Sequence, residues 1–264
     1  MKTFKKWLFR IIMTLCILTF LGSGGYLGFY YFQMKETRSE ITDLQKLREE
    51  DDATPSTTSK KKVKDKKGRQ VSPRYQKLYE KNDDFIGWIQ VKDTPINYPV
   101  MQTPKENEFY LHRNFYKKYD MNGLPFLDAK CDTDGENQNL FIYGHHMRSG
   151  LIFAHLLDFA KADFFQKHKT VVFDTLQEAR NYQVVAAFYS QVNPPGSKEF
   201  SYYHYVGKLD KDQFSTYVEQ VKKRSLYKTS VTPVYGDELL TLVTCAYHTT
   251  NGRFVVVCSR TPKN

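Results

Sequence analysis

The chain has 264 residues, of which 41% are apolar, 26% charged and 15% aromatic, and this composition excludes a wholly disordered or collagen-like protein. Its four cysteines are too few for a disulfide scaffold of this length. The net charge of +10 does not indicate nucleic-acid binding, because +4 lies in residues 1–10 and +3 in residues 33–72, which leaves only +3 on residues 73–264.

Residues 11–32 form an uncharged, largely apolar segment. As a helix this segment would span about 33 Å, enough to cross the hydrocarbon core of a bilayer. A cleaved signal peptide is the alternative, but the apolar run continues through Tyr26–Phe32 and contains no A-x-A cleavage site. The sequence therefore predicts an uncleaved anchor that contacts membrane lipid. Four Lys or Arg precede it and four follow it closely, so charge alone does not orient it.

The segment between the anchor and the main domain has two parts. Residues 33–52 predict a short helix, with Ile41, Leu44 and Leu47 as a thin apolar stripe. Residues 53–72 are rich in Ser, Thr and Lys without apolar periodicity, which predicts a solvated basic linker. The main domain is therefore expected to span residues 73–264.

Short segments rich in Val, Ile and aromatic residues, bounded by Asn, Asp, Gly and Pro, predict eight strands in this domain. They are 85–91, 94–101, 124–129, 139–144, 170–174, 182–190, 239–246 and 253–260. Helical patterns lie between them, at 75–82, 151–159, 163–167 and 211–224. Many strands with few helices predict a mostly β fold, a closed or nearly closed barrel with peripheral helices.

The last two predicted strands read as a hairpin that carries candidate chemistry. The first ends at Cys245, Asn251-Gly252 supplies a turn, and the second begins at Arg253. Antiparallel neighbours joined in this way place Cys245 and Arg253 side by side at one rim. A guanidinium there favours a thiolate and can stabilise an oxyanion, whereas an isolated cysteine would more simply be a buried structural residue.

A cysteine nucleophile also needs a base, and the segment NLFIYGHHM offers His145 and His146 directly after a predicted strand. His145 would lie at a strand end, as Cys245 does, and a barrel can bring such ends together. A zinc site built from Cys245, His248 and the two histidines is the competing interpretation, although no second C-x-x-C and no H-E-x-x-H occur. The remaining histidines are expected to be structural: His112, His155, His168 and His204.

Three motifs in combination resemble a class B sortase: TLVTC ending at Cys245, an arginine eight residues later, and YGHHM. The resemblance extends over residues 73–264 through YEKNDDFIGWIQVKDTPINYPVMQ, FYLHRNF and GLPFLD. It implies an eight-stranded sortase-type β-barrel after an N-terminal transmembrane helix. By motif match it implies Cys245 as nucleophile, His145 as acid/base and Arg253 as stabiliser of the oxyanion or substrate, with Thr244 lining the site.

The resemblance further implies a membrane-anchored cysteine transpeptidase that requires no cofactor or metal. Such an enzyme cleaves a C-terminal sorting motif of a surface protein after Thr and forms a thioester. An amine then resolves this thioester, either from the cell-wall cross-bridge or, in pilin-polymerising members, from a pilin lysine. A non-catalytic wall-binding barrel is the third interpretation. The catalytic domain would face the wall from outside the membrane, so residues 1–10 would be cytoplasmic.

Overall fold

A computed structural model describes residues 2–53, 62–136 and 138–262. The chain forms two compact units that divide between Glu40 and Ile41. The first unit is helical, and the second contains every strand that the described ranges hold.

The N-terminal helix α1 (Lys2–Ala53) contains the predicted anchor, and within it Thr3–Glu50 is long and apolar enough to cross a membrane by length and composition. The predicted helix over residues 33–52 is present, but it is the C-terminal part of α1 rather than a short helix, since the segment continues α1 without a break. The physical reason is that no Gly or Pro interrupts the segment, and Lys, Glu, Gln, Arg and Leu dominate it, all of which favour helix.

Nine strands occur in the described part of the chain, and one mixed sheet contains them all. Their bounds are β1 (Phe85–Gln90), β2 (Asn97–Met101), β3 (Phe126–Leu127), β4 (Gln138–Tyr143), β5 (Thr170–Thr175), β6 (Asn181–Gln191), β7 (Gly207–Lys208), β8 (Leu239–Cys245) and β9 (Gly252–Arg260). The order is β3-β2-β1-β5-β6-β9-β8-β4, and β3 pairs back with β4 to close the ring. The eight-stranded barrel is thus confirmed; β7, a two-residue strand on β4, is too short to show periodicity.

Within the described ranges, three further α-helices lie between the strands: α2 (Gln76–Lys81), α3 (Ala162–Lys167) and α4 (Lys211–Arg224). The α4 helix begins where predicted, because Asp210 and Gln213 form a reciprocal capping box. The predicted helix over 151–159 is instead a 3-10 segment, Ala154–Ala160. It begins late because Ile152 adopts φ 58°, a left-handed conformation that no helix can contain.

A buried polar network fixes β4 against β8 inside this fold. The fully buried Asn139 accepts a hydrogen bond from Thr241 Oγ1 at 2.8 Å and donates one to the Tyr205 carbonyl at 3.0 Å. Tyr217 of α4 shares a third hydrogen bond with Thr241, at 2.7 Å. Each side chain of this network therefore has a hydrogen-bond partner. The observed register of β4 on β8 is for this reason much more stable than a register shifted by one residue.

The predicted solvated linker is wrong for residues 62–72, while its residues 54–61 lie outside the described part of the chain. Lys64 pairs with Gln70 across a tight turn, and Asp65 accepts hydrogen bonds from two backbone N–H groups of that turn at 2.9 Å. The Arg69 guanidinium and these backbone hydrogen bonds overcome the opposing effect of burial and hold the pKa of Asp65 below its usual value. Val71 is fully buried, so the segment belongs to the folded domain.

The end of α1 also belongs to the compact domain, which begins at Ile41 rather than at the predicted Pro73. Ile41 and Leu44 are buried. Arg48 approaches the buried carboxylate of Asp174 at 3.6 Å and lies 5.1 Å from the centre of the Trp88 ring.

A protein that starts at residue 41 is therefore expected to unfold at higher temperature than one that starts at residue 73. Removing residues 41–72 exposes apolar surface and takes Arg48 away from buried Asp174, a loss of at least about 2 kcal/mol. Thermal unfolding of the two proteins measures it. The substitution Arg48→Met in the longer protein isolates the charge contribution, and equal midpoints for the two lengths would contradict the expectation.

Candidate active site

The β8–β9 hairpin places a cysteine and an arginine at the same rim of the barrel, as the sequence predicts. Cys245 is the direct register partner of Arg253, and Asn251 takes the left-handed conformation that closes the turn. Gly252 is required there, because a Cβ atom at this position would lie 2.1 Å from the Ala246 carbonyl oxygen. The nucleophile candidate and its cationic neighbour are thus held by one tight turn.

Strand β4 brings the candidate base to this rim. It runs parallel to β8 up to the pair Tyr143 and Val243, and the Gly144 N–H then donates to the Val243 carbonyl at 3.1 Å. His145 follows directly. A Cβ atom at Gly144 would lie 2.8 Å from the Phe153 ring, so only glycine allows the chain to leave the barrel here.

His145, Thr244, Cys245 and Arg253 line one cavity of 290 Å³. Most of its remaining wall is aromatic or aliphatic, from Leu111, Phe126, Tyr143, Val192, Tyr202 and Tyr203. The barrel therefore collects all four predicted site residues around a largely apolar space. A space of this kind restricts water and can hold a peptide side chain.

Cys245 differs from the other two cysteines of the domain in its accessibility. Cys245 is half-exposed, whereas Cys131 and Cys258 are buried, and all of them are free thiols. Burial raises the pKa of Cys131 to about 12 and also raises that of Cys258, so neither forms a thiolate readily. Cys245 is thus the thiol of the barrel that an acyl donor can reach.

The ring of His145 is held in one orientation by the backbone. Its Nε2 lies 2.9 Å from the Leu111 carbonyl oxygen, which can only accept, so Nε2 carries the hydrogen. In the neutral ring this leaves Nδ1 as the basic atom. Burial lowers the pKa of His145, and the nearby His112 lowers it further, against the opposing effect of the Leu111 hydrogen bond.

His112 lies next to the candidate site, a position that the sequence did not reveal. Its ring centre lies 5.3 Å from that of His145, although His112 does not line the cavity, and the structural role expected for it stays a prediction. The residues are far apart along the chain and meet only through barrel closure. The stretch FYLHRNF, which carries part of the family resemblance, is the one signal that could have pointed to this segment.

The alternative zinc site does not assemble. Within residues 2–53, 62–136 and 138–262 no group of three or more His, Cys, Asp or Glu side chains is arranged to hold a metal ion. His248 packs edge-on against the Tyr189 ring, with ring centres 4.8 Å apart. His146 does not line the cavity either, and its Nδ1 lies 3.1 Å from the backbone carbonyl of Cys245.

A half-exposed thiol, an imidazole with a basic ring nitrogen and a guanidinium in one apolar cavity form the class of site that thiol-dependent acyl-transfer enzymes use. Comparison with known proteins agrees with this class. A family model described as a Sortase domain matches residues 89–261. Sortase B of Staphylococcus aureus (strain NCTC 8325 / PS 47) is 31% identical over 189 residues, which are 71% of this chain and 74% of that protein.

Sortase B of Listeria monocytogenes is 30% identical over 235 residues, which are 88% of each chain. Among solved structures, a Staphylococcus aureus sortase B–substrate complex matches with a TM-score of 0.70 and 26% identity, over 87% of this chain and 98% of that one. A sortase B complexed with triglycine matches with a TM-score of 0.71 and 26% identity, over 87% and 99%. The chain therefore belongs to the sortase family, in its class B, and is a cysteine transpeptidase.

Replacing His112 by asparagine is expected to raise the pKa of His145, because a neutral amide does not oppose a second positive charge. A larger fraction of His145 is then protonated at a given pH, so any reaction step that needs protonated His145 stays fast up to a higher pH. An NMR titration of the His145 ring measures the pKa directly. His168→Asn, in which the lost ring bonds the Lys92 carbonyl, is the control. An unchanged or lower pKa in His112→Asn would contradict the assignment.

Proposed function

We propose that this sortase cleaves a C-terminal sorting motif of surface proteins after a threonine and transfers the acyl group to an amine of the cell-wall cross-bridge. The observation that carries the proposal is that Cys245, Arg253 and His145, supplied by β8, β9 and the end of β4, line one cavity. In this proposal Cys245 is the nucleophile, His145 the acid/base and Arg253 the stabiliser of the oxyanion. Thr244 lines the site beside the nucleophile.

In the first half-reaction the Cys245 thiolate attacks the threonine carbonyl carbon. A carbon–sulfur bond forms, and the carbonyl oxygen becomes an oxyanion that Arg253 stabilises through its N–H donors. The carbon–nitrogen bond then breaks, and protonated His145 gives its Nδ1 hydrogen to the leaving amine. The low pKa of His145 makes its imidazolium a stronger acid for this transfer.

In the second half-reaction an amine attacks the thioester. His145 Nδ1 takes a proton from this amine, the carbon–sulfur bond breaks, and Cys245 returns to the thiolate. Water is the competing nucleophile, and the apolar wall formed by residues such as Tyr143 and Tyr202 disfavours it. The relative complexed with triglycine supports a glycine amine as the acceptor class.

The proposal includes a single-pass membrane location with residues 1–10 in the cytoplasm and the barrel outside. The length and apolarity of α1 support the anchor. The orientation follows from the substrate, because a wall-directed transpeptidase must meet sorting signals and the cross-bridge on the outer side. Transfer to a pilin lysine and binding to the wall without catalysis are outcomes that the experiment below separates.

Incubation of the full chain with an NPQTN-like or an LPxTG-like peptide is expected to produce an acyl adduct on Cys245, which intact-protein mass detects. Hydroxylamine should release the adduct as the hydroxamate. Cys245→Ala should form none, and the control Cys131→Ala should behave as the wild type. With triglycine and a lysine-bearing pilin peptide offered together, preferential transfer to the lysine would favour pilin polymerisation. Full activity in Cys245→Ala would overturn the mechanism.

Arg253→Lys is expected to lower the acylation rate by at least about tenfold, because a point charge does not reproduce the guanidinium fork that faces the oxyanion. Rapid-quench measurement of adduct formation gives this rate. The control is Arg148→Lys, at an exposed arginine in the loop that follows β4. A near-normal rate in Arg253→Lys would assign Arg253 to structure rather than to chemistry.

A further inference from the structure

The backbone pairing of β4 with β8 ends just before the catalytic residues. Its register pairs run from Asn139 with Leu239 to Tyr143 with Val243, and the Gly144 N–H to Val243 carbonyl bond follows. If the parallel ladder continued, the Gly144 and Cys245 carbonyls would accept its next two backbone hydrogen bonds. Both carbonyls instead accept hydrogen bonds from side chains.

The first of these side chains is that of Thr244, whose Oγ1 donates to the Gly144 carbonyl at 2.8 Å. The second is that of His146, whose Nδ1 lies 3.1 Å from the Cys245 carbonyl oxygen. The oxygen can only accept, so His146 Nδ1 carries the hydrogen. Two side-chain hydrogen bonds thus join the strand ends that carry His145 and Cys245.

The hairpin geometry explains why the Cys245 carbonyl is open to His146. Ala246 N–H donates to the Gly252 carbonyl at 3.0 Å, which makes this pair a hydrogen-bonded pair of the hairpin. The adjacent pair, Cys245 with Arg253, is then a non-hydrogen-bonded pair, and the Cys245 carbonyl points away from β9 toward β4. Without His146 the carbonyl would have no described protein donor.

The His146 ring is itself held in place. It is half-buried, and its centre lies 5.5 Å from that of the Tyr247 ring. The backbone at His146 bridges Ile152, and the next residue, Phe153, donates from its N–H to the His145 carbonyl at 2.9 Å. The loop that carries His145 and His146 is therefore folded back on itself and is bound to the nucleophile through the His146 imidazole.

We propose that His146 is a positioning residue, whose Nδ1–H bond to the Cys245 carbonyl sets the nucleophile against His145 during acyl transfer. This role rests on the proposed function of Cys245 and His145. His146 exchanges no proton with substrate and does not line the catalytic cavity. Its effect is geometric: when the bond is lost, the Thr244 side chain alone joins the strand ends beyond the ladder, and Cys245 can shift relative to His145. Misplacement of reacting groups by about 1 Å can cost on the order of a hundredfold in rate.

The test exploits the position of the donor atom. In His146→Asn the amide nitrogen stands on the same γ-carbon as Nδ1 and can donate to the same oxygen, whereas in His146→Gln it stands one bond further out. His146→Ala has no donor. The three variants and the wild type are compared as full chains with the NPQTN-like peptide, and the acylation rate constant, the KM and the thermal midpoint are measured.

His146→Asn is expected to acylate within about threefold of the wild type, and His146→Ala and His146→Gln about tenfold or more slowly at similar KM. The pH profile should keep its shape in all three, since His146 does not titrate in the reaction. His145→Asn should lose far more activity than any of them. A wild-type rate in His146→Ala would overturn the proposal, and so would an equal loss in His146→Asn and His146→Ala with unchanged thermal midpoints.

A second measurement needs no substrate and so separates this proposal from the proposed function. The carbonyl carbon-13 shift of Cys245 is recorded in protein labelled at cysteine carbonyls, with Cys245→Ala identifying the signal. His146→Ala and His146→Gln are expected to move this signal in the direction of a lost hydrogen bond, and His146→Asn to leave it near the wild-type value. An unmoved signal in His146→Ala would refute the bond even if no peptide acylates the wild type.

Discussion

The parallel pairing of β4 with β8 is the constraint on which the candidate site depends. His145 follows one strand and Cys245 ends the other, and a hundred residues separate the paired strand ends, Gly144 and Thr244, along the chain. Because side chains alternate between the two faces of a strand, a slip of one residue would turn Cys245 away from the cavity. The buried hydrogen bond between Thr241 and Asn139 opposes such a slip, since it can form only in the observed register. A network far from the rim thereby determines which side chains meet at the rim.

The electrostatics of the cavity follow from the same closure. Apolar walls and His112 both disfavour a charged His145, while the Leu111 carbonyl fixes the ring and favours its charge in part. The result is an imidazole whose orientation is set and whose proton is easily lost. A transpeptidase needs such a group twice, first as an acid for the leaving amine and then as a base for the incoming one. In the proposed mechanism the guanidinium of Arg253, on β9, stabilises the oxyanion and takes no part in the proton transfers of the amine.

Sequence patterns predicted the parts of the fold that local rules govern. Short segments rich in Val, Ile and aromatic residues located eight strands, and the helical pattern over residues 211–224 located α4. A hairpin with Asn251-Gly252 at its turn predicted that Cys245 and Arg253 lie side by side, and they are direct register partners. The approach of His145 could be suggested only through the barrel, because no local rule joins residues so distant along the chain.

The errors have an equally physical origin. Residues 62–72 have a linker composition, but tertiary partners decide their structure: Asp65 organises the turn, accepting also from the Gln177 amide at 3.0 Å, and Val71 is fully buried. Arg48 lies in the segment predicted as a helix with only a thin apolar stripe, yet it approaches Asp174, a carboxylate buried in the barrel. Such long-range pairs produce no periodic pattern in the sequence, so a domain boundary predicted from composition alone is misplaced.

The rim has little room to change shape, and this bears on how substrate selection can occur. A side chain at Gly144 would meet the Phe153 ring at 2.8 Å, and one at Gly252 would meet the Ala246 carbonyl at 2.1 Å. These two glycines mark where the chain packs most tightly beside the candidate base and the candidate nucleophile. Side chains held by such tightly packed backbone favour a transition state because they need no rearrangement when charge develops. We therefore expect discrimination between sorting motifs to come from the other side chains of the cavity wall, while the catalytic geometry stays constant from one peptide to the next.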